Sequence, residues 1–67
     1  MVDLVRLKEK IDESGMTIKT ISERSNIKRY TLDRKLNGVG EFTAAEIVGL
    51  TKALKLKMSE RNDIFLR

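Results

Sequence analysis

The 67-residue chain predicts an all-α fold, a compact bundle of five short helices. Three observations carry this. Apolar residues recur at helical spacing, sustained period-two alternation is missing, and Ser, Thr, Asn and Gly fall where helix caps belong. The length implies a single domain over residues 1–67, since half of it could not bury a core of its own.

Leu4, Leu7 and Ile11 form the apolar stripe of the first helix, which stops at Ser14-Gly15, where glycine suits the left-handed position after a helix. Thr17 reads as the cap of a second helix over about Ile18–Ser25. Met16 and Ile21 sit at the two positions of a hydrophobic staple. Asn26-Ile27 makes a tight break, because Asn tolerates positive φ. A third helix covers about Arg29–Leu36, with Leu32 and Leu36 inward, Lys28 as a poor cap and Asn37-Gly38 closing it.

After a short loop over Val39-Gly40-Glu41-Phe42, Thr43-Ala44-Ala45-Glu46 has the form of a capping box, and Phe42 and Ile47 form a second staple. Ile47, Leu50 and Leu54 give the fourth helix its apolar face. Gly49 within it costs about 1 kcal/mol relative to Ala, which points to close packing against a neighbouring helix. Ser59 is the expected cap of a last helix holding Ile64, Phe65 and Leu66.

The chain has no Cys and no His. Disulfides, thiolate or imidazole metal sites, Cys nucleophiles and histidine bases are therefore excluded, and neither an enzyme nor a cofactor is expected. No apolar run approaches the length that crosses a bilayer and no signal-peptide pattern opens the chain, so a cytoplasmic setting is expected. Fourteen Lys and Arg stand against ten Asp and Glu, net +4. Residues 26–40 hold Lys28, Arg29, Arg34 and Lys35 against Asp33 alone, net +3. A local basic surface on a small domain points to a polyanion, most often nucleic acid; a merely solvated face is the plainer reading.

The two central helices, about eight residues each, are joined by a turn of about three. That is too short for an antiparallel hairpin, so they cross steeply as a helix-turn-helix. Ile21, Ile27 and Leu32 fall where that motif buries apolar groups, and small Ser22 falls at the crossing. Here the chain resembles the phage Cro/repressor family, the lambda-repressor-like or XRE group. Residues 16–27, MTIKTISERSNI, resemble that family's second helix and turn. Residues 31–38, TLDRKLNG, are similar to the end of its recognition helix, and 42–47, FTAAEI, to the start of its fourth. The likeness spans about residues 4–58. The chain departs from the family pattern at Asn26, where glycine is usual, at Ser22, where alanine is, and at Ser25, where an apolar residue is common. Lys35 occupies a position that is often buried.

The resemblance implies a sequence-specific regulator of transcription, a Cro-like phage or prophage repressor whose third helix enters the major groove. Carried over by position, Arg29, Tyr30 and Arg34 face the bases. Thr17, Lys19, Lys28, Lys35, Asn37 and Gly38 contact phosphates. Several have a plainer alternative: a solvated or Asp33-paired charge for Arg34, phosphate attraction for Arg29, half-buried packing for Tyr30, solvent exposure for Lys28 and Lys35, and a C-cap for Asn37. The implied partner is a pseudo-palindromic operator in bacterial cytoplasm, bound by a weak homodimer completed on the DNA, with no small-molecule ligand or membrane. Ile64, Phe65 and Leu66 are three successive apolar residues, more than one helical face buries, and so form the expected dimer interface; packing onto the chain's own core is the alternative. A protein-interaction module, antirepressor-like or antitoxin-like, and a DNA-bending excision or architectural factor remain the rival functions.

Overall fold

Short-range capping chemistry sets the five helices seen in the computed structural model, which describes residues 1–66. Helix α1 (Leu4–Ser14) starts where the Asp3 carboxylate accepts the Arg6 N–H at 3.0 Å, and it ends at Gly15, φ 71°. Helix α2 (Ile18–Ser25) starts where Thr17 Oγ1 accepts the Thr20 N–H at 3.1 Å. Asn26, at φ 59°, turns the chain out of α2. Asn enters this region more cheaply than a bulky residue does, which explains how the turn forms without glycine.

Helix α3 (Arg29–Leu36) begins at Lys28 with no side-chain cap. It ends in a Schellman closure: the Gly38 N–H donates to the Lys35 carbonyl at 3.1 Å, and the Val39 N–H to that of Arg34 at 2.9 Å. Gly38, at φ 85°, holds the left-handed position; Asn37 before it stays at φ −92°.

Helix α4 (Ala44–Ala53) opens with the capping box. Thr43 Oγ1 accepts the Glu46 N–H at 3.1 Å, and the Glu46 carboxylate accepts the Thr43 N–H at 2.8 Å. Helix α5 (Met58–Phe65) corrects the expected boundary, because it is Lys57, not Ser59, that stands at the N-cap. The Glu60 carboxylate accepts the Lys57 N–H at 2.8 Å, so the helix starts from the acidic half of a box and Ser59 lies inside its first turn.

Leu7, Ile21, Leu32, Leu50 and Ile64 are fully buried, one from each helix. Ile11, Ile27, Leu36 and Phe65 complete the core, with Met16, Phe42, Ile47 and Leu54 half-buried against it. Helix α2 sits centrally, packed on both α3 and α4, while α5 joins α1 to α4. The radius of gyration, 10.4 Å, matches the roughly 11 Å expected of a folded chain of this length. Among the described residues there is no strand, and no helix is long and apolar enough to cross a membrane.

Candidate nucleic-acid interface

The turn between α2 and α3 is fastened from both sides. The Ile27 N–H donates to the Ser22 carbonyl at 3.0 Å, and the Ile27 side chain is buried in the core. Ser22 and Ser25 are buried too, but their hydroxyls donate to the Lys19 carbonyl at 2.7 Å and the Ile21 carbonyl at 2.6 Å. Neither polar atom is left unsatisfied, so burial there carries no desolvation penalty of the kind an orphaned hydroxyl would incur.

Leu32 and Leu36 fix the rotation of α3 about its axis by facing the core. Helical geometry then turns Arg29, Tyr30, Asp33 and Arg34 to the outside, and all four are exposed. Tyr30 is 72% exposed, which removes the half-buried packing role considered for it. The guanidinium carbon of Arg34 lies over the Tyr30 ring, 5.5 Å from its centroid. The spacing of four residues on one helix was the signal that could have anticipated this contact.

Among the described residues, no carboxylate is within ion-pair distance of Lys28, Arg29 or Arg34. Asp33, although adjacent in sequence, does not neutralise Arg34. Lys28 is exposed beside Arg29 at the start of α3. Thr17 and Lys19 are exposed at the start of α2, where the Thr17 cap takes the Thr20 N–H and the Ile21 N–H bonds to the Thr17 carbonyl. The N–H groups of Ile18 and Lys19, the first two of the helix, have no carbonyl partner within it. Together the two helix starts present cationic side chains and free amide donors.

Three expected contacts sit differently. Lys35 is only 15% exposed along its side chain, and its ammonium pairs with Glu46 at 2.5 Å, so its charge is already committed within the fold. Burial pushes the Glu46 carboxyl up, but the Lys35 ammonium and the Thr43 N–H outweigh it and hold that carboxyl below its ordinary range. The amide of Gly38 is spent on the Schellman closure, so it does not offer its N–H to a phosphate. Asn37 is exposed, with its own N–H bonded back to Asp33 and Arg34, which leaves only its side chain for an outside partner.

The expected interface at the last helix divides. Ile64 and Phe65 are core residues: Ile64 is fully buried, and Phe65 packs edge-on against Phe42 with ring centroids 5.7 Å apart. The Ile64 carbonyl also accepts the Asp3 N–H at 2.8 Å, tying the end of the bundle to its beginning. Both therefore fill their own subunit rather than a partner's surface. Leu66, 62% exposed, is the residue of the three that points outward.

Comparison with known proteins agrees with this geometry. No curated protein and no solved structure matches the chain. The family model of the Cro/C1-type HTH DNA-binding domain matches residues 6–62, which takes in α1 from Arg6 onward, the whole of α2, α3 and α4, and α5 as far as Asn62, and so all of the two-helix motif. Such a domain binds double-stranded DNA and is the reading head of a regulator. With the order of its helices, the buried turn and the outward cationic face of α3 all in agreement, the chain belongs to the Cro/C1-type helix-turn-helix DNA-binding domain family.

Proposed function

We propose that the chain is a sequence-specific transcriptional regulator, a Cro-like repressor of phage or prophage type, that lays α3 in the major groove of a pseudo-palindromic operator. One observation carries the reading: Arg29, Tyr30 and Arg34 are exposed on the helix that follows the turn, and among the described residues neither arginine is neutralised by a carboxylate. The major groove, about 12 Å wide, admits one helix, and an arginine fork suits the O6 and N7 acceptors of guanine. Lys28, Lys19, Thr17 and the Asn37 side chain flank that helix and take phosphates. The free N–H groups at the start of α2 reinforce them. Two subunits on a two-fold site supply the affinity that one small module lacks.

Selection from a random duplex pool tests this directly. The expected result is one enriched sequence with internal two-fold symmetry, bound with affinity that falls linearly on a log–log plot against salt. Neutralising about two phosphates per subunit, through Lys19 and Lys28, corresponds to a slope near −1.8 per subunit. Recovery of no sequence preference, or binding indifferent to salt between 50 and 200 mM, rejects the proposal. A partner protein captured with little salt dependence favours the interaction-module reading instead.

A further inference from the structure

We infer that Tyr30 is a positioning residue that acts through Arg34: its ring holds the guanidinium in place, so that the pair reads a base together. This rests on the proposal that α3 reads bases, and it concerns how one of those readers achieves selectivity. The two residues are four apart on α3, on the outward face, with the Arg34 guanidinium carbon over the ring at 5.5 Å. That distance is inside the roughly 6 Å at which a ring face attracts a cation. Neither group has another claim on it. The Tyr30 hydroxyl makes no hydrogen bond within the described residues, and Arg34 pairs with no carboxylate there.

The chemistry of the contact gives it a use. A cation–π attraction draws on the charge of the guanidinium and needs no hydrogen-bond acceptor. The N–H fork that discriminates guanine therefore stays available, whereas a salt bridge to Asp33 would consume it. An exposed arginine is otherwise among the most rotamer-rich side chains, and ordering it on binding subtracts from every base contact it makes. A ring beneath the guanidinium removes part of that cost before DNA arrives. The gain is expected to be a factor of about 2 to 5 in discrimination, the size of an exposed cation–π contact.

The experiment uses the wild-type chain, Tyr30→Phe, Tyr30→Leu, Arg34→Ala and the Tyr30→Leu/Arg34→Ala double variant. Each is titrated with the duplex selected by the wild type and with its single-base-pair variants. Arg34→Ala is expected to flatten preference at one base pair. Tyr30→Leu is expected to weaken preference at that same base pair by about 2- to 5-fold, and Tyr30→Phe to retain it, because the ring is kept. In the Arg34→Ala background, Tyr30→Leu is expected to change that preference no further. In the free proteins, the Arg34 side-chain proton resonances should carry a ring-current shift that persists in Tyr30→Phe and disappears in Tyr30→Leu.

Additive losses in the double variant overturn the inference while leaving base reading by α3 intact. Equal losses in Tyr30→Phe and Tyr30→Leu overturn it in favour of a reading hydroxyl. If Arg34→Ala alters preference at no base pair, the reading role of Arg34 fails, and the inference fails with it.

Discussion

Lys28 shows at the level of one residue how binding and folding pull apart. It occupies the N-cap of α3 in extended geometry, φ −60° and ψ 138°, where Ser, Thr, Asp or Asn would accept a free helix amide. Lysine has no acceptor to offer, and its charge, with that of Arg29, faces the positive end of the helix dipole. For stability the position is poorly filled. A cation there suits the phosphate contact proposed for it. Lys28→Ser is therefore expected to stabilise the folded chain by about 0.5–2 kcal/mol, read as a raised urea midpoint with an unchanged slope. The same variant is expected to bind DNA more weakly, with its salt slope shallower by about 0.9. A variant that gains stability and keeps the full salt slope would show that Lys28 touches no phosphate. The Tyr30 and Arg34 contact belongs to this scale as well: their spacing of four was on display in the sequence, whereas Asp33, one residue from Arg34, projects in a different direction from the same helix and makes no ion pair with it.

At the scale of elements, α4 comes close to the C-terminal end of α2 at Gly49. A Cβ placed on Gly49 would lie 2.3 Å from the backbone carbonyl oxygen of Ser25, a contact that no side-chain adjustment relieves. Elsewhere in a helix, Gly→Ala gains about 1 kcal/mol. Here the two helices must move apart first, and overpacking of this kind costs about 1–3 kcal/mol. Gly49→Ala is expected to lower the melting temperature, and an unchanged or higher one would refute the close contact. Two ion pairs tie other elements together: Lys35 of α3 with Glu46 of α4, and Lys10 of α1 with Glu60 of α5, the second at 2.5 Å. Their hydrogen-bonded ammonium groups hold both carboxyls below the ordinary value of 4.5, for Glu46 against the opposing push of burial, while the Glu60 hydrogen bond raises Lys10 above 10.5. The carboxylate contribution to stability is thus complete above pH 4.5 and is lost as pH falls through the folded-state values. That of Lys10 is complete below pH 10.5 and is lost as pH rises through its own. Denaturant titrations should give a plateau between those limits, and Glu46→Gln should lose less on going from pH 7 to pH 3 than the wild type does; equal losses would remove Glu46 from the account. The elements legible in the sequence were those whose ends are fixed by neighbours in the chain: Gly15, Thr17, Asn26 and the Thr43/Glu46 box all bond within a few residues. The start of α5 was hidden because Lys57 is no capping type and only Glu60, three residues on, marks it. The commitment of Lys35 was hidden because its partner is 11 residues away across the loop.

Over the whole molecule, the burial of residues 64–66 bears on the proposed pairing of two copies on DNA. Three successive apolar residues at 64–66 signalled that something must face outward, but periodicity could not choose among them at the end of a helix. The fold chooses: Phe65 closes the core against Phe42, Ile64 is fully buried, and Leu66 is left exposed. A test of pairing that alters Phe65 would mislead, because removing a buried aromatic costs about 3–5 kcal/mol and the chain would melt before its association was measured. Leu66→Asp isolates the surface instead. Its effect on folding should stay within about 0.5 kcal/mol, as exposed positions usually do. A charge placed at a contact between two copies, however, must be desolvated or repelled by its symmetry mate. If α5 ends at the two-fold axis, Leu66→Asp should keep the wild-type melting temperature and lose cooperative filling of the palindromic site, leaving weak occupancy of single half-sites. The loss should be large, since the second subunit gains affinity only when the first holds it near its half-site. Phe65→Ser, run beside it, should show the reverse pattern, a lowered melt in dilute protein whatever the DNA does. Cooperativity that survives Leu66→Asp would place the two-fold contact on another face of the bundle.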